Sequence, residues 1–188
     1  MSLKRKEDGF TGLEAAIVLI AFIVVAAVFS YVMLGAGFFT TQKSQETVFG
    51  AVGTATANME VTGPVIVTTG DGGAVESITF TVVLAAGGAP MDTSKFTYIA
   101  SNESAYFEFG NADVTKTWYS EGEQLSGSNA KTFLERGDVL DIIVPSEYNV
   151  VAANKPFTIE VKPPVGASLS IKRYAPLSLA ANKIYEVY

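Results

Sequence analysis

The spacing of hydrophobic residues divides the chain into two parts. Residues 15–42 are 28 consecutive uncharged positions, and the first 25 of them (AAIVLIAFIVVAAVFSYVMLGAGFF) are almost entirely apolar. A helix of that length measures about 37 Å, which exceeds the roughly 30 Å of a bilayer's hydrocarbon core. The pattern therefore predicts a long apolar helix that can cross a membrane.

The helix is predicted to continue with a more polar face beyond residue 39. Val48 and Val52 keep helical spacing there, although Gly50 and Gly53 weaken the helix propensity. We place its end near residue 58.

From residue 59 the period of the pattern changes to two. Apolar residues alternate with polar ones in SITFTVVL (77–84) and PFTIEVK (156–162), which predicts half-buried strands. Similar short runs lie at 60–69, 95–100, 105–109, 115–119, 139–144 and 167–173, with turn sequences at 70–73, 87–90 and 126–129. We predict an α+β fold, in which a long N-terminal hydrophobic α-helix precedes an antiparallel β-sandwich or barrel domain over 59–188.

Composition removes several functional classes. The chain of 188 residues has no Cys and no His, which excludes the usual zinc sites, cysteine nucleophiles and histidine acid/base chemistry. The net charge of −6 leaves no basic surface for nucleic acid. No Walker motif is present, so any ATP-driven step belongs to partners. We expect no enzymatic activity and no cofactor.

Charges at the N-terminus orient the apolar segment. Lys4, Arg5 and Lys6 precede it directly, so the positive-inside rule places the N-terminus in the cytoplasm and the following domain outside. A conventional secretory signal has an apolar core of about 7–15 residues, and this one is far longer. A simple membrane anchor explains the length and the flanking cations, but it gives little role to Glu14 at the start of the span.

The leader resembles a known processing signal. Three cations and two acids stand before Gly9 and Phe10. Glu14 lies four residues after Phe10, at the start of the long apolar helix. This pattern is similar to the class III signal peptide of type IV pilins. The sequence GFTGLEAAIVLIAFIVVAAVFSYVML resembles that of archaeal flagellins, or archaellins, in particular. The resemblance is close over residues 4–58 and extends to the remainder only as a type of domain.

The resemblance implies cleavage between Gly9 and Phe10 by a prepilin-type peptidase. Loss of residues 1–9 would remove three cations and two carboxylates, leaving 179 residues with a net charge of −7. A transient membrane precursor would then join a homopolymeric surface filament with the help of a membrane assembly platform and an ATPase motor. The mature helix would comprise residues 10–58.

Cleavage would give Glu14 a partner. The new α-amine of Phe10 is mostly protonated at neutral pH, and positions i and i+4 lie on one face of a helix. The Glu14 carboxylate could therefore meet its own amine or that of an adjacent subunit, which would make assembly depend on charge.

Close packing of the apolar helices is the second expected requirement for assembly. Small residues allow helices to approach, and large ones fill the gaps between them. The predicted packing positions are Ala15, Ala16, Leu19, Phe22, Ala26, Phe29, Gly35 and Gly37.

Candidate chemistry in the β-domain is limited. The acids Asp71, Asp113, Glu121, Glu123, Asp138 and Asp141 fit no calcium-loop spacing, so we interpret them as solvated. Alternate members of an aromatic group are expected in the core, with outward tyrosines in subunit contacts: Phe96, Tyr98, Tyr106, Phe107, Phe109, Trp118 and Tyr119. Asn102-Glu103-Ser104 is a candidate N-glycosylation acceptor.

Three functions are compatible with these patterns. The leading one is a structural subunit of the archaellum. An adhesive type IV pilin or minor pilin is the nearest alternative, although bacterial major pilins often carry a disulfide loop that this chain cannot form. A membrane-anchored extracellular binding module is the third, and it predicts that residues 1–9 persist.

Overall fold

A computed structural model describes residues 4–125 and 131–188, with side chains from Thr11 onwards. The predicted turn at 126–129 lies outside the described residues. The chain forms two compact units, 1–50 and 51–188.

The apolar segment lies within a single helix. Helix α1 spans Lys4–Thr56 and continues through Gly50 and Gly53 without a break. Since glycine in a helix interior costs only about 1 kcal/mol, two glycines do not end a helix of 53 residues. Of the described helices, α1 alone is long and apolar enough to cross a membrane.

The rest of the described chain is built from antiparallel strands. Their bounds are β1 Met59–Val61, β2 Val65–Thr69, β3 Val75–Leu84, β4 Met91–Asp92, β5 Thr97–Asn102, β6 Tyr106–Phe109, β7 Thr115–Ser120, β8 Glu123–Leu125, β9 Phe133–Leu134, β10 Asp138–Pro145, β11 Pro156–Lys162, β12 Leu169–Tyr174 and β13 Ile184–Val187. One sheet has the order β13-β2-β3-β10-β7-β8, with β1 also paired to β3. A second has the order β12-β11-β5-β6, and β4 pairs with β9.

Alternation along the strands gives both sheets one shared core. In β3 the side chains of Ile78, Phe80 and Val82 are buried, whereas the threonines between them are partly exposed. The same alternation buries Phe157 and Ile159 in β11 of the other sheet, and residues from the two sheets belong to a single hydrophobic cluster. The predicted α+β class and the inward faces of these strands are confirmed.

Two local features were harder to predict. The run 60–69 is divided into β1 and β2 because Gly63 has a φ of +83° and Pro64 cannot donate a backbone hydrogen bond. The C-terminal strand β13, which pairs with β2, was missed, although the alternation in Ile184–Val187 could have indicated it.

Candidate assembly interface

The apolar side chains of α1 lie on every side of the helix and are exposed. Twenty large hydrophobic residues between Leu13 and Val52 have exposed fractions from 53% (Val18) to 80% (Tyr31). A helix that is apolar all round is stable only when it is surrounded by protein or lipid. This surface therefore requires an apolar environment that the chain's own fold does not supply.

Most of the predicted packing positions form one stripe along α1. At 100° per residue, Ala15, Leu19, Phe22, Ala26, Phe29 and Gly37 all fall within about 40° of a common line. Ala16 and Gly35 point to other sides, and all eight residues are exposed.

The small residues open space on the helix surface. A notch of about 380 Å³ lies at Gly37 between Met33, Phe38 and Thr41. A second notch, of about 210 Å³, adjoins Ala21 beside Phe22 and Val25. Such notches can receive large side chains from another helix.

The predicted cleavage site lies inside the continuous helix. Gly9 and Phe10 belong to α1, as does Glu14, whose side chain is exposed. Phe10 and Glu14 are therefore one helical turn apart and share a face. The side chain of Phe10 lies outside the described side chains.

Several polar side chains in the second half of α1 have hydrogen-bond partners within the helix itself. The hydroxyls of Thr40 and Thr41 donate to the carbonyls of Ala36 and Gly37, at 2.8 and 2.9 Å. Lys43 Nζ and Glu46 Oε2 form an ion pair at 2.7 Å. Because these groups already have partners, this segment can pack against protein with a smaller desolvation penalty.

The β-domain aromatics are mostly internal. Phe96, Tyr98, Phe109 and Trp118 are buried, and the rings of Tyr98 and Phe109 stack with centroids 5.7 Å apart. Burial raises the pKa of the Tyr98 hydroxyl. Phe107 and Tyr119 are partly exposed, and Tyr106 has 61% of its surface exposed. Subunit contacts by the outward tyrosines stay a prediction.

The prediction that the acids are solvated is wrong for Asp138. Its side chain is 2% exposed, and both carboxylate oxygens accept from Lys131 Nζ at 2.8 Å. The Ser120 hydroxyl donates at 2.8 Å and the Glu135 backbone N–H at 3.2 Å. Burial alone would raise the pKa of Asp138, but these hydrogen bonds outweigh it and hold the pKa below its usual value. Sequence reasoning missed this cluster because Ser120 lies in another strand, β7, 18 positions before Asp138.

The other acids have local or cross-strand roles. Asp141 accepts from the Thr81 hydroxyl at 2.6 Å, Asp113 from the Gly110 backbone at 2.8 Å, and Asp71 from Asn182 at 3.0 Å. Glu121 and Glu123 are exposed. In the described part of the chain, acids do not gather into a group that could hold a metal ion.

Asn102 lies at the end of β5 and organises the turn to β6. Its Oδ1 accepts from the backbone N–H groups of Ser104 and Ala105, both at 2.7 Å. Its Nδ2 donates to the carbonyl of Val150 at 2.7 Å. The candidate acceptor is partly exposed and has a structural function of its own.

A self-contained β-domain in the same chain as a helix that needs an apolar surrounding defines a class of proteins that either polymerise through the helix or are anchored by it in a membrane. Comparison with known proteins narrows this class. Residues 9–173 match the family model for archaeal-type flagellin. The chain is 41% identical to "Probable flagellin 1" of Archaeoglobus fulgidus over 195 aligned positions, covering 95% of each protein.

Solved structures agree with the sequence comparison. The fold is similar to that of the archaeal flagellum of Methanospirillum hungatei strain JF1, with a TM-score of 0.73 and 35% identity over 94% of this chain and 98% of that one. Flagellin FlaB1 from Methanocaldococcus jannaschii shares the fold at 12% identity, with a TM-score of 0.57 over 69% of this chain and 95% of that one.

The chain belongs to the archaeal-type flagellin family. It is a structural subunit of the archaellum, the extracellular filament that homologous chains form by homopolymerisation.

Proposed function

We propose that this flagellin builds a swimming filament in which α1 helices pack in the core and β-domains form the outer shell. The observation that carries this proposal is the exposed apolar surface on all sides of α1. The β-domain has a buried hydrophobic core of its own, so it does not need the helix for that purpose. The chain acts by assembly and has no catalytic role.

The sizes of the free-energy contributions indicate which interactions stabilise the filament. Within the membrane, moving α1 from lipid to a helix bundle exchanges one apolar surrounding for another, so packing supplies the preference. Outside the cell, release of a subunit would expose twenty large apolar side chains. Since each contributes about 1.5–3 kcal/mol when fully buried, loss of a subunit is effectively irreversible.

Assembly begins, in this proposal, with removal of the charged leader after Gly9. A prepilin-type peptidase acts on a membrane-inserted precursor, and an assembly platform and ATPase motor add the mature subunit to the filament. The continuous helix through Gly9 and Phe10 supports the charge pairing, because it places the new amine one turn from Glu14. Loss of Lys4, Arg5 and Lys6 also removes the cations that hold the precursor in the bilayer.

Purified surface filaments are expected to begin with Phe10-Thr11-Gly12. N-terminal sequencing of the isolated appendages, combined with electron microscopy, measures both processing and assembly. The precursor carrying Gly9→Val is the control, because it should retain Met1 and remain in the membrane fraction. Wild-type filaments that still begin with Met1 would contradict the processing step.

Asn102 is proposed to carry a glycan in addition to organising its turn. The bond to Val150 uses one of the two amide hydrogens, so the other can be replaced by a sugar. We expect mass spectrometry of the tryptic peptide 96–116 to show a glycan mass in the wild-type protein and none in Ser104→Ala.

A second variant separates the glycan from the turn. Ser104→Ala keeps the backbone donor to Asn102, whereas Asn102→Ala removes three hydrogen bonds and should destabilise the β-domain by roughly 1–3 kcal/mol. Thermal unfolding monitored by Trp118 fluorescence distinguishes the two variants by their stability. An unmodified wild-type peptide would refute glycosylation at this residue.

A further inference from the structure

An apolar groove of about 380 Å³ lies within the unit 51–188. Eight of its ten lining residues are nonpolar, among them Pro90, Met91, Phe133 and Val165. The side chains of Phe133 and Val165 are 51% and 52% exposed, so the groove is open to another molecule. Its size and lining suit an aromatic side chain.

The backbone fixes one side of this groove. Gly53 and Ala57 contribute to the lining, and the loop after β11 passes so close that a Cβ on Gly166 would overlap the Ala57 carbonyl oxygen. Gly166 also has a φ of +108°, which other residues rarely adopt. This close approach places the adjacent Val165 on the same side of the groove as Ala57.

Among the described residues that line the groove, the two charged ones form an ion pair. Asp92 and Lys95 approach to 3.1 Å, with the Lys95 side chain 68% exposed. Asp92 is fixed further because it accepts hydrogen bonds from the backbone and the hydroxyl of Ser94. The groove therefore presents one anion and one cation at defined positions beside its apolar lining.

Helix α1 carries a stripe with the complementary features. Lys43 and Glu46 are the only charged residues in 15–59, and they lie on the same face as Phe39. Phe39 is 64% exposed, and the two charged side chains are 60% and 71% exposed. An aromatic residue, a cation and an anion thus follow one another along one face.

We propose that the groove receives Phe39 from a second copy of this chain, with Lys43 of that copy beside Asp92 and Glu46 beside Lys95. This inference rests on the proposed polymerisation. Within α1, Phe39 precedes the groove residue Gly53 by 14 positions, about 21 Å along the helix axis, so the proposal assigns the occupant to a neighbouring copy. Phe39 supplies apolar burial, and the four charges select the register between neighbours.

The chain has no native cysteine, which permits a direct cross-linking test. In filaments carrying Phe39→Cys and Val165→Cys, oxidation should link each subunit to the next and give a ladder on a non-reducing gel. The matched control carries Phe38→Cys and Val165→Cys, because Phe38 points about 100° away on the same helix. We expect at least about tenfold less linkage in the control, as the two sulfur atoms must approach within bonding geometry.

The outcomes separate this inference from the proposed function. Normal filaments in which the Phe39 pair cross-links no better than the control overturn the inference and leave polymerisation intact. Failure of the wild-type chain to form filaments overturns both. Should the cysteine variants not assemble, electron cryomicroscopy of wild-type filaments decides the matter. Phe39 of a neighbour must occupy the groove beside Phe133 and Val165, and an empty groove or another segment there refutes the proposal.

Discussion

Glu14→Gln is expected to reduce filament yield by at least about tenfold while leaving the amount of membrane-inserted precursor unchanged. The substitution preserves the size of the side chain but replaces one acceptor oxygen by an NH2 donor and removes the charge that pairs with the Phe10 amine. An amine buried in a helix bundle without its carboxylate is strongly unfavourable, whereas the precursor has no free amine at Phe10. Quantitative electron microscopy of sheared filaments and immunoblots of the membrane fraction measure the two quantities.

The matched control for this experiment is Glu60→Gln. It makes the same chemical change at an exposed glutamate in β1, outside the apolar helix. We expect wild-type filament yield from it. Equal yields from Glu14→Gln and the wild-type chain would show that the charge pair does not govern assembly.

Asp138→Asn is expected to destabilise the β-domain by about 2–3 kcal/mol, because a buried carboxylate loses charge-assisted hydrogen bonds. The carboxylate accepts from Lys131, Ser120 and the backbone of Glu135, and an amide cannot replace all of these bonds. Chemical unfolding of the full chain in detergent measures the loss. Its single tryptophan, Trp118, is buried in the strand paired with β10 and reports on this region.

The loss of unfolding free energy caused by Asp138→Asn depends on pH, and the direction of that dependence is definite. Because the folded-state pKa of Asp138 is depressed, its contribution is complete above the unfolded value of about 3.9 and is lost as pH falls through the lower folded value. The pKa of Lys131 is raised chiefly by its hydrogen bond to Asp138, so the pair persists to alkaline pH. The difference in free energy of unfolding between the wild type and Asp138→Asn should therefore be constant from about pH 5 to 9 and should decrease in acid.

Asp141→Asn provides the comparison within the same strand. Asp141 is partly exposed and accepts a hydrogen bond from the Thr81 hydroxyl. This substitution should therefore lower the free energy of unfolding by less than about 1.5 kcal/mol. A loss from Asp138→Asn no larger than this, or one that does not change in acid, would rule out the buried ion pair as a source of stability.

Periodicity alone predicted the elements that depend on a repeated pattern. The uncharged run at 15–42 indicated a helix, and the alternation around Phe80 and Ile159 indicated the buried faces of β3 and β11. These inferences hold because side-chain direction repeats every 3.6 residues in a helix and every two in a strand, whatever the tertiary contacts are. Short strands such as β4 and β9 have too few residues to show a period, so sequence reasoning missed them.

The functional and structural sites also divide into those that the sequence predicted and those that it did not. The leader, Glu14 and the apolar positions of α1 are contiguous, so their spacing could be read directly from the chain. Ser120 is brought to Asp138 by the pairing of β7 with β10, whereas Lys131 reaches it from seven positions earlier in the chain. Asp138 therefore looked like a solvated acid until its surroundings were known.

The sequence by itself determined that this flagellin has a long apolar helix, a charged N-terminal segment before it and an alternating β-domain, because each is a local pattern of polarity and charge. Only the tertiary structure decided which acid is buried, how Asn102 holds its turn, and that Phe133 and Val165 line one groove. Those properties depend on distances between residues far apart in the chain, and such distances are fixed only when the sheets pair and pack.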